Sequence, residues 1–256
     1  MKNRIIDPRA VPVIQVDSHL PALPAELLTM DFLRWSFGSP PAHWESLSDE
    51  FVWRKEGKPV RQAAVLLPLM RGDLVSDGLG QVKVEGECGQ EVYVLLMRRS
   101  MHLKEHAGQI ALPGGKVDVG DKNRIATALR ETYEEVGIAA EQVDVLGVMP
   151  PYTSASGFEI TPVAGVIQEV VSLSLCSDEV SDVFVVPLAF LMDPAQHRWH
   201  GFGGQGEDEK DGCSVTRRWL SMEYVWQGRS YLIWGVTAAI IRNLYLFLSA
   251  SSRRNL

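Results

Sequence analysis

The sequence predicts a mixed α/β domain with helices on both sides of its sheet, and three observations carry that expectation. Six segments between residues 63 and 225 are aliphatic and β-branched at strand length. Only two stretches, about 122–136 and 235–249, keep a helical period, and they stand apart with strands between them. With 256 residues, 46% apolar and 22% charged, the chain can bury a substantial core.

Residues 1–60 differ in pattern from the rest of the chain. Helical pieces around AELLTMDFLRW are broken by Pro21, Pro24, Pro40 and Pro41, so this part is expected to be a mostly helical extension before a domain at 61–256. AAVLLPLM and EVYVLLMRR then read as two strands, and the polar, glycine-rich SDGLGQVKVEGECGQ between them suggests a hairpin with a long loop. Residues 113–138, PGGKVDVGDKNRIATALRETYEEVGI, open on a turn at Pro113-Gly114-Gly115. They then enter a helix that Asp121 or Asn123 caps and Gly137 ends. VDVLGVMPPY, ITPVAGVIQ, DVFVVPL and RRWLSMEYV come next as strands. YLIWGVTAAIIRNLYLFLS, residues 231–249, runs from a strand end into a buried helix. Its uncharged run before Arg242 is only about 12 residues, against the roughly 20 that a bilayer span needs.

Several functions are excluded at this level. Cys88, Cys176 and Cys213 are odd in number and form no CxxC, which argues against a disulfide framework or a thiolate zinc site and favours the cytoplasm. The N-terminus lacks the apolar run of a signal peptide. HRWHGFGGQGEDEKDG is expected to be a loop: GFGGQG lacks a strand-to-helix setting, and His197 and His200 lack further ligands. Trp219, Trp226 and Trp234 are expected to pack in or beside the core. No basic stripe with interleaved aromatics supports nucleic-acid binding.

The 122–136 helix raises the functional question. At ~100° per residue Ile125, Leu129, Thr132 and Val136 share one face, while Glu131, Glu134 and Glu135 crowd a neighbouring one. Like charges at i and i+4 repel, and acids near a helix C-terminus oppose its dipole. Arg130 offsets part of this through Glu134. A hard divalent cation, which prefers carboxylate oxygens and bridges them to phosphates, would offset far more.

The stretch resembles the Nudix box: Gly, five residues, Glu, seven residues, then Arg-Glu-aliphatic-x-Glu-Glu-x-Gly-aliphatic. Gly115, Arg130, Glu131, Glu134, Glu135, Gly137 and Ile138 match. Asp121 stands in place of the first glutamate, eight residues separate it from Arg130, and Thr132 replaces an aliphatic residue. Upstream, LLMRRSMHLKEHAGQIALPGG looks like the signature of the coenzyme A pyrophosphatase branch. Leu95, Leu96, Arg99, Ser100, Gly108, Pro113, Gly114 and Gly115 agree, whereas Met97, Lys104 and Leu112 replace Thr, Arg and Phe. That branch accepts an aspartate and altered spacing in the box. The resemblance covers roughly residues 62–248.

It implies an α/β/α sandwich and a metal-dependent pyrophosphohydrolase using Mg²⁺ or Mn²⁺. The substrate would be coenzyme A or an acyl-CoA, cleaved to 3′,5′-ADP and a phosphopantetheine. A general nucleoside-diphosphate-X hydrolase and a non-catalytic nucleotide sensor are the alternatives. By resemblance Glu131 and Glu135 are metal ligands, Glu134 a further ligand or catalytic group, and the Gly115 carbonyl a backbone ligand. Arg130 would orient the cluster, and Glu179 is the candidate general base. Arg99, Lys104, His106, Gly108, Gln109 and Gly114 are the candidate substrate contacts. Strand alternation sends Arg98 and Arg99 to opposite faces, which leaves at least one of them an ordinary surface residue. His106 is open between a substrate contact and a structural hydrogen bond. A homodimer is compatible with the resemblance, with no nucleic-acid or membrane partner.

Overall fold

The alternation of the two long strands β2 (Arg61–Arg71) and β3 (Val92–Arg99) organises the molecule. Leu67 and Leu69, with Val92, Val94 and Leu96, face one core cluster; Leu66 and Met70, with Tyr93, Leu95 and Met97, face another. Both faces are covered, so the strands read as continuous apolar runs rather than alternating ones. The protein is described here by a computed structural model covering residues 8–48, 60–72, 91–168, 173–202, 217–226 and 228–254. Residues 76–90 and 203–212, the glycine-rich stretches expected as loops, fall outside these residues, as do Cys88 and Cys213. Cys176 is a free thiol.

The larger sheet has eight strands in a mixed arrangement. β4 (Ile110–Ala111), β3, β2, β8 (Phe158–Ile167) and β6 (Val143–Val148) lie in that order; β5 (Gly114–Lys116) joins β2, β7 (Tyr152–Thr153) joins β8, and β9 (Val180–Pro187) joins β3. β2 and β8 run parallel over Arg61–Leu69, and the other pairings are antiparallel. A central proline, Pro68, is tolerated for a local reason. On that edge β2 pairs with β5 over Ala63–Val65 and with β3 from Leu69 onward, so the missing N–H falls in the gap between two partners.

Helix α2 (Arg124–Val136) covers one face through Ala128, Val136, Ile125 and Leu129. The opposite face holds α4 (Val236–Ser252) and α1 (Met30–Gly38), with a second sheet ordered β1 (Val13–Val16), β10 (Arg198–Phe202), β11 (Arg217–Trp226), β12 (Arg229–Trp234). A short helix α3 (Leu188–Leu191) follows β9. No helix of the described residues is long and apolar enough to cross a membrane.

The early residues are built into this layer. β1 pairs antiparallel with β10, a strand where the sequence suggests none. The two residues that interrupt the apolar run of α4 explain the attachment. Asn243 clasps one peptide unit: the Leu47 N–H donates to its Oδ1 at 2.7 Å and its Nδ2 donates to the Leu47 carbonyl at 2.9 Å. Arg242 reaches buried Asp17 at 2.9 Å and donates to His197 Nδ1 at 3.1 Å, while His197 Nε2–H donates to the Leu191 carbonyl. Burial pushes the His197 imidazole down to about 4, with the Arg242 charge adding to the fall.

The expected loop at HRWHGF is therefore a strand, and its histidines are structural. His200 bonds the Val11 carbonyl at 2.9 Å and the Ser221 hydroxyl at 2.7 Å. Both imidazoles are committed to hydrogen bonds in the core. Trp219 is buried, and Trp226 packs against both core clusters.

Candidate active site

Helix α2 begins where the Asn123 side chain accepts the Ala126 N–H at 2.9 Å, deciding the cap between Asn123 and Asp121. It ends at Gly137, whose φ of 81° is the left-handed conformation that closes the last turn. Thr132, where the box has an aliphatic residue, is fully buried and returns its hydroxyl proton to the Ala128 carbonyl at 2.6 Å. The polar atom is thus satisfied inside the helix.

Arg130 is the hub of the carboxylate cluster. Nε and Nη2 donate to the two oxygens of Asp121 at 3.0 and 2.9 Å; Nη1 donates to Glu131 and to Glu134, each at 3.0 Å; Nη2 also donates to the Lys116 carbonyl at 3.0 Å. Five contacts match the five N–H donors of a guanidinium. Asp121 also accepts from the Thr127 hydroxyl and the Asp118 N–H. The Arg130 hydrogen bonds hold its carboxyl well below the usual carboxylate range. Its place is to fasten the loop after β5 onto α2.

The three glutamates do not form one solvated acidic face. Glu134 is 54% exposed, whereas Glu135 is only 2% exposed. The Gly114 N–H donates to Glu135 Oε2 at 2.8 Å, and Arg99 Nη1 stands 3.7 Å from Oε1. Burial nevertheless pushes the Glu135 carboxyl up to about 8; Gly114 and Arg99 oppose this, and the Glu131 and Glu179 charges add to it. Burial also raises Glu131, against Arg130, with Glu134 and Glu179 adding to the rise. Glu131 lies against bare backbone: a Cβ built on Gly115 would meet its carboxyl atoms at 2.4 Å. Only glycine permits that approach.

β3, β9 and the loop after β3 frame this pair. A register shift between Arg98 and Arg99 accompanies their opposite directions. Arg99 turns toward Glu135, while Arg98 is half-buried with its guanidinium 4.9 Å from the Tyr231 ring centre. Neither is an ordinary surface residue. Glu179 is exposed, and its carbonyl accepts the Ser100 N–H at 2.7 Å, tying the start of β9 to the end of β3. Gly108 and Gln109 close the loop: the Gly108 N–H donates to the Arg99 carbonyl at 3.1 Å, and the Arg99 N–H donates to the Gln109 carbonyl at 2.9 Å. His106, at φ 58°, bonds the Gln109 side chain through Nδ1 at 2.9 Å. It already holds a structural hydrogen bond. Lys104 is exposed on the same loop.

The chain is also similar to known proteins. Residues 80–225, more than half of the chain, match the profile of the NUDIX domain. The chain belongs to the Nudix family. A relative in Escherichia coli, described as the uncharacterized Nudix hydrolase NudL, is 41% identical over 186 residues, covering 73% of this chain and 82% of its own length. NudL of Klebsiella pneumoniae is also 41% identical, over 190 residues, covering 74% and 84%. Among solved structures, a MutT/nudix family protein from Enterococcus faecalis has a TM-score of 0.39 at 15% identity, covering 75% of this chain and 63% of that one. An Ap4A hydrolase of C. elegans gives 0.38 at 19%, covering 52% and 86%.

As a Nudix hydrolase the protein acts on phosphoanhydride bonds, and Nudix hydrolases generally use divalent metal ions. Among the described residues no group of three His, Cys, Asp or Glu side chains is gathered as a metal cage. Arg130 holds Glu131 and Glu134, while Glu135 is tied to Gly114. The donors still suit a hard cation. Two carboxylates one helical turn apart are both raised by burial, the Glu131 charge adds to the rise at Glu135, and Glu131 lies against the open backbone of Gly115.

Proposed function

We propose that this Nudix hydrolase cleaves the pyrophosphate of coenzyme A or an acyl-CoA, releasing 3′,5′-ADP and the corresponding phosphopantetheine. The observation that carries the reading is the continuity of residues 95–115 with the box. The strand bearing Arg99 supplies a cation to Glu135, and the Pro113-Gly114-Gly115 turn that closes the segment donates an N–H to the same carboxylate. Residues matching the coenzyme A signature thus touch the acidic pair directly.

Glu131 and Glu135, with the Gly115 carbonyl and Glu134, would hold Mg²⁺ or Mn²⁺. When bound there, the cation screens the phosphate oxygens and makes an attacking water more acidic. Arg130 keeps Glu131 and Glu134 oriented through its fixed fork. Glu179, exposed beside the pair, accepts the proton of the attacking water. Arg99 and Lys104 bind phosphate oxygens, while Gly108, Gln109 and His106 shape the loop that carries them.

A panel of CoA, ADP-ribose, NADH and dinucleoside polyphosphates, with Mg²⁺ or Mn²⁺, tests this. Efficient CoA turnover is expected. Efficient ADP-ribose turnover without CoA turnover would replace the substrate assignment with a general nucleoside-diphosphate-X hydrolase.

A further inference from the structure

Immediately beyond Gly115 the sheet carries two cations that neither the box nor the upstream signature includes. Lys116 ends β5 opposite Ala63, and Arg61 lies two residues earlier on β2, about 7 Å along the strand. Arg61 pairs in register with Phe158 of β8. Its guanidinium stands 3.8 Å from the Phe158 ring centre, and Lys116 Nζ is 5.9 Å from the same centre. Arg61 is held further by donating to the Ser156 carbonyl at 2.7 Å. Both cations are exposed, and among the described residues neither forms an ion pair.

This arrangement is unusual for a chain of net charge −7. Arg99 and Arg130 beside α2 are spent on carboxylates, but these two charges converge on an aromatic ring. Stacking orients the guanidinium without neutralising it, so its outer N–H groups stay available for an anion. The Lys116 backbone is also part of the candidate site, because its carbonyl accepts from Arg130. The pair therefore stands one residue from the Gly115 cradle, across the rim of the sheet.

We propose that Arg61 and Lys116, set against Phe158, form a second anion subsite for a phosphate group separate from the scissile linkage. Resting on the proposed function, that group is the 3′-phosphate of coenzyme A, which hangs from the ribose next to the pyrophosphate. Its dianion matches two unneutralised cations. The subsite separates nucleotides with a 3′-phosphate from those without one.

Titration calorimetry of the full chain in Mg²⁺, with 3′,5′-ADP and 5′-AMP as probes, tests this. Wild type is expected to bind 3′,5′-ADP about tenfold more tightly, the scale of one charge-assisted contact. In Arg61→Ala and in Lys116→Ala that preference falls toward one while 5′-AMP affinity holds within about twofold, and Arg61→Lys restores part of it. An equal affinity of wild type for the two probes would overturn the subsite. So would an unchanged preference in both alanine variants, or equal weakening of both probes. CoA turnover with an unchanged preference removes the subsite and keeps the substrate assignment; ADP-ribose turnover without CoA turnover, with an Arg61-dependent preference, does the reverse.

Discussion

Glu135, proposed as a metal ligand, sets stability against the proposed activity. Burial raises its carboxyl to about 8 from an ordinary 4.5. An acid with a raised folded-state pKa holds its proton more tightly when folded, so its contribution is present below 4.5 and is lost as pH rises through 8. Metal-free Glu135→Gln should therefore melt at a higher temperature than wild type at pH 8, with the difference closing near pH 5, as thermal scans would show. A divalent ion should stabilise wild type more than the variant. Pyrophosphate hydrolysis by the variant should fall about 100-fold or more.

Gly115 makes a complementary case. A Cβ there would lie 2.4 Å from the Glu131 carboxyl, far inside contact distance, and the loop after β5 is pinned by Asp121 and Lys116 on Arg130. Gly115→Ala is expected to displace Glu131 and cut turnover by about 10- to 100-fold. Its circular dichroism should match wild type, and Mn²⁺ binding by calorimetry should weaken in step with activity.

At the scale of elements, α4 does more than fill the core. Asn243 satisfies both backbone groups of Leu47, so Asn243→Ala strands them beside a helix. A loss of about 1–3 kcal/mol in urea unfolding is expected. Periodicity made much of this fold legible. The two helices and the long strands carry apolar residues in helical or strand runs, and Gly137 and Asn123 are strong end signals. β1 and β10 were not legible, because VIQV and RWHGF do not alternate and their order depends on each other and on His200. The same holds for Asp17, Arg242 and His197, whose partnership spans the length of the chain.

The candidate site divides in the same way. Glu131, Glu134, Glu135 and Arg130 stand in a motif with fixed spacing, and so could be named from the sequence. The burial of Glu135 could not, since it depends on Gly114 and Arg99 arriving from other strands. Arg61, Lys116 and Phe158 come from three separate strands, and no local spacing connects them.

At the scale of the whole molecule, the Asp17–Arg242–His197 network ties the N-terminal segment, β10 and α4 together. His197 stays neutral in the fold, near 4 against an ordinary 6.5. The folded state then binds fewer protons, so stability is lost as pH falls through 6.5 and the loss levels off near 4. The size is about 3 kcal/mol. Denaturant unfolding between pH 7.5 and 4.5 should show this loss, and His197→Gln should flatten it.

The central claim is that a carboxylate-bound divalent ion lets this acidic protein cut the pyrophosphate of coenzyme A. The direct measurement incubates CoA with wild type and with Glu135→Gln in Mn²⁺, and separates the products. Wild type should yield 3′,5′-ADP and phosphopantetheine in equal amounts, with no turnover in chelator, and the variant about 1% of that rate or less. Intact CoA under conditions where ADP-ribose is consumed, or full activity in Glu135→Gln, would contradict it.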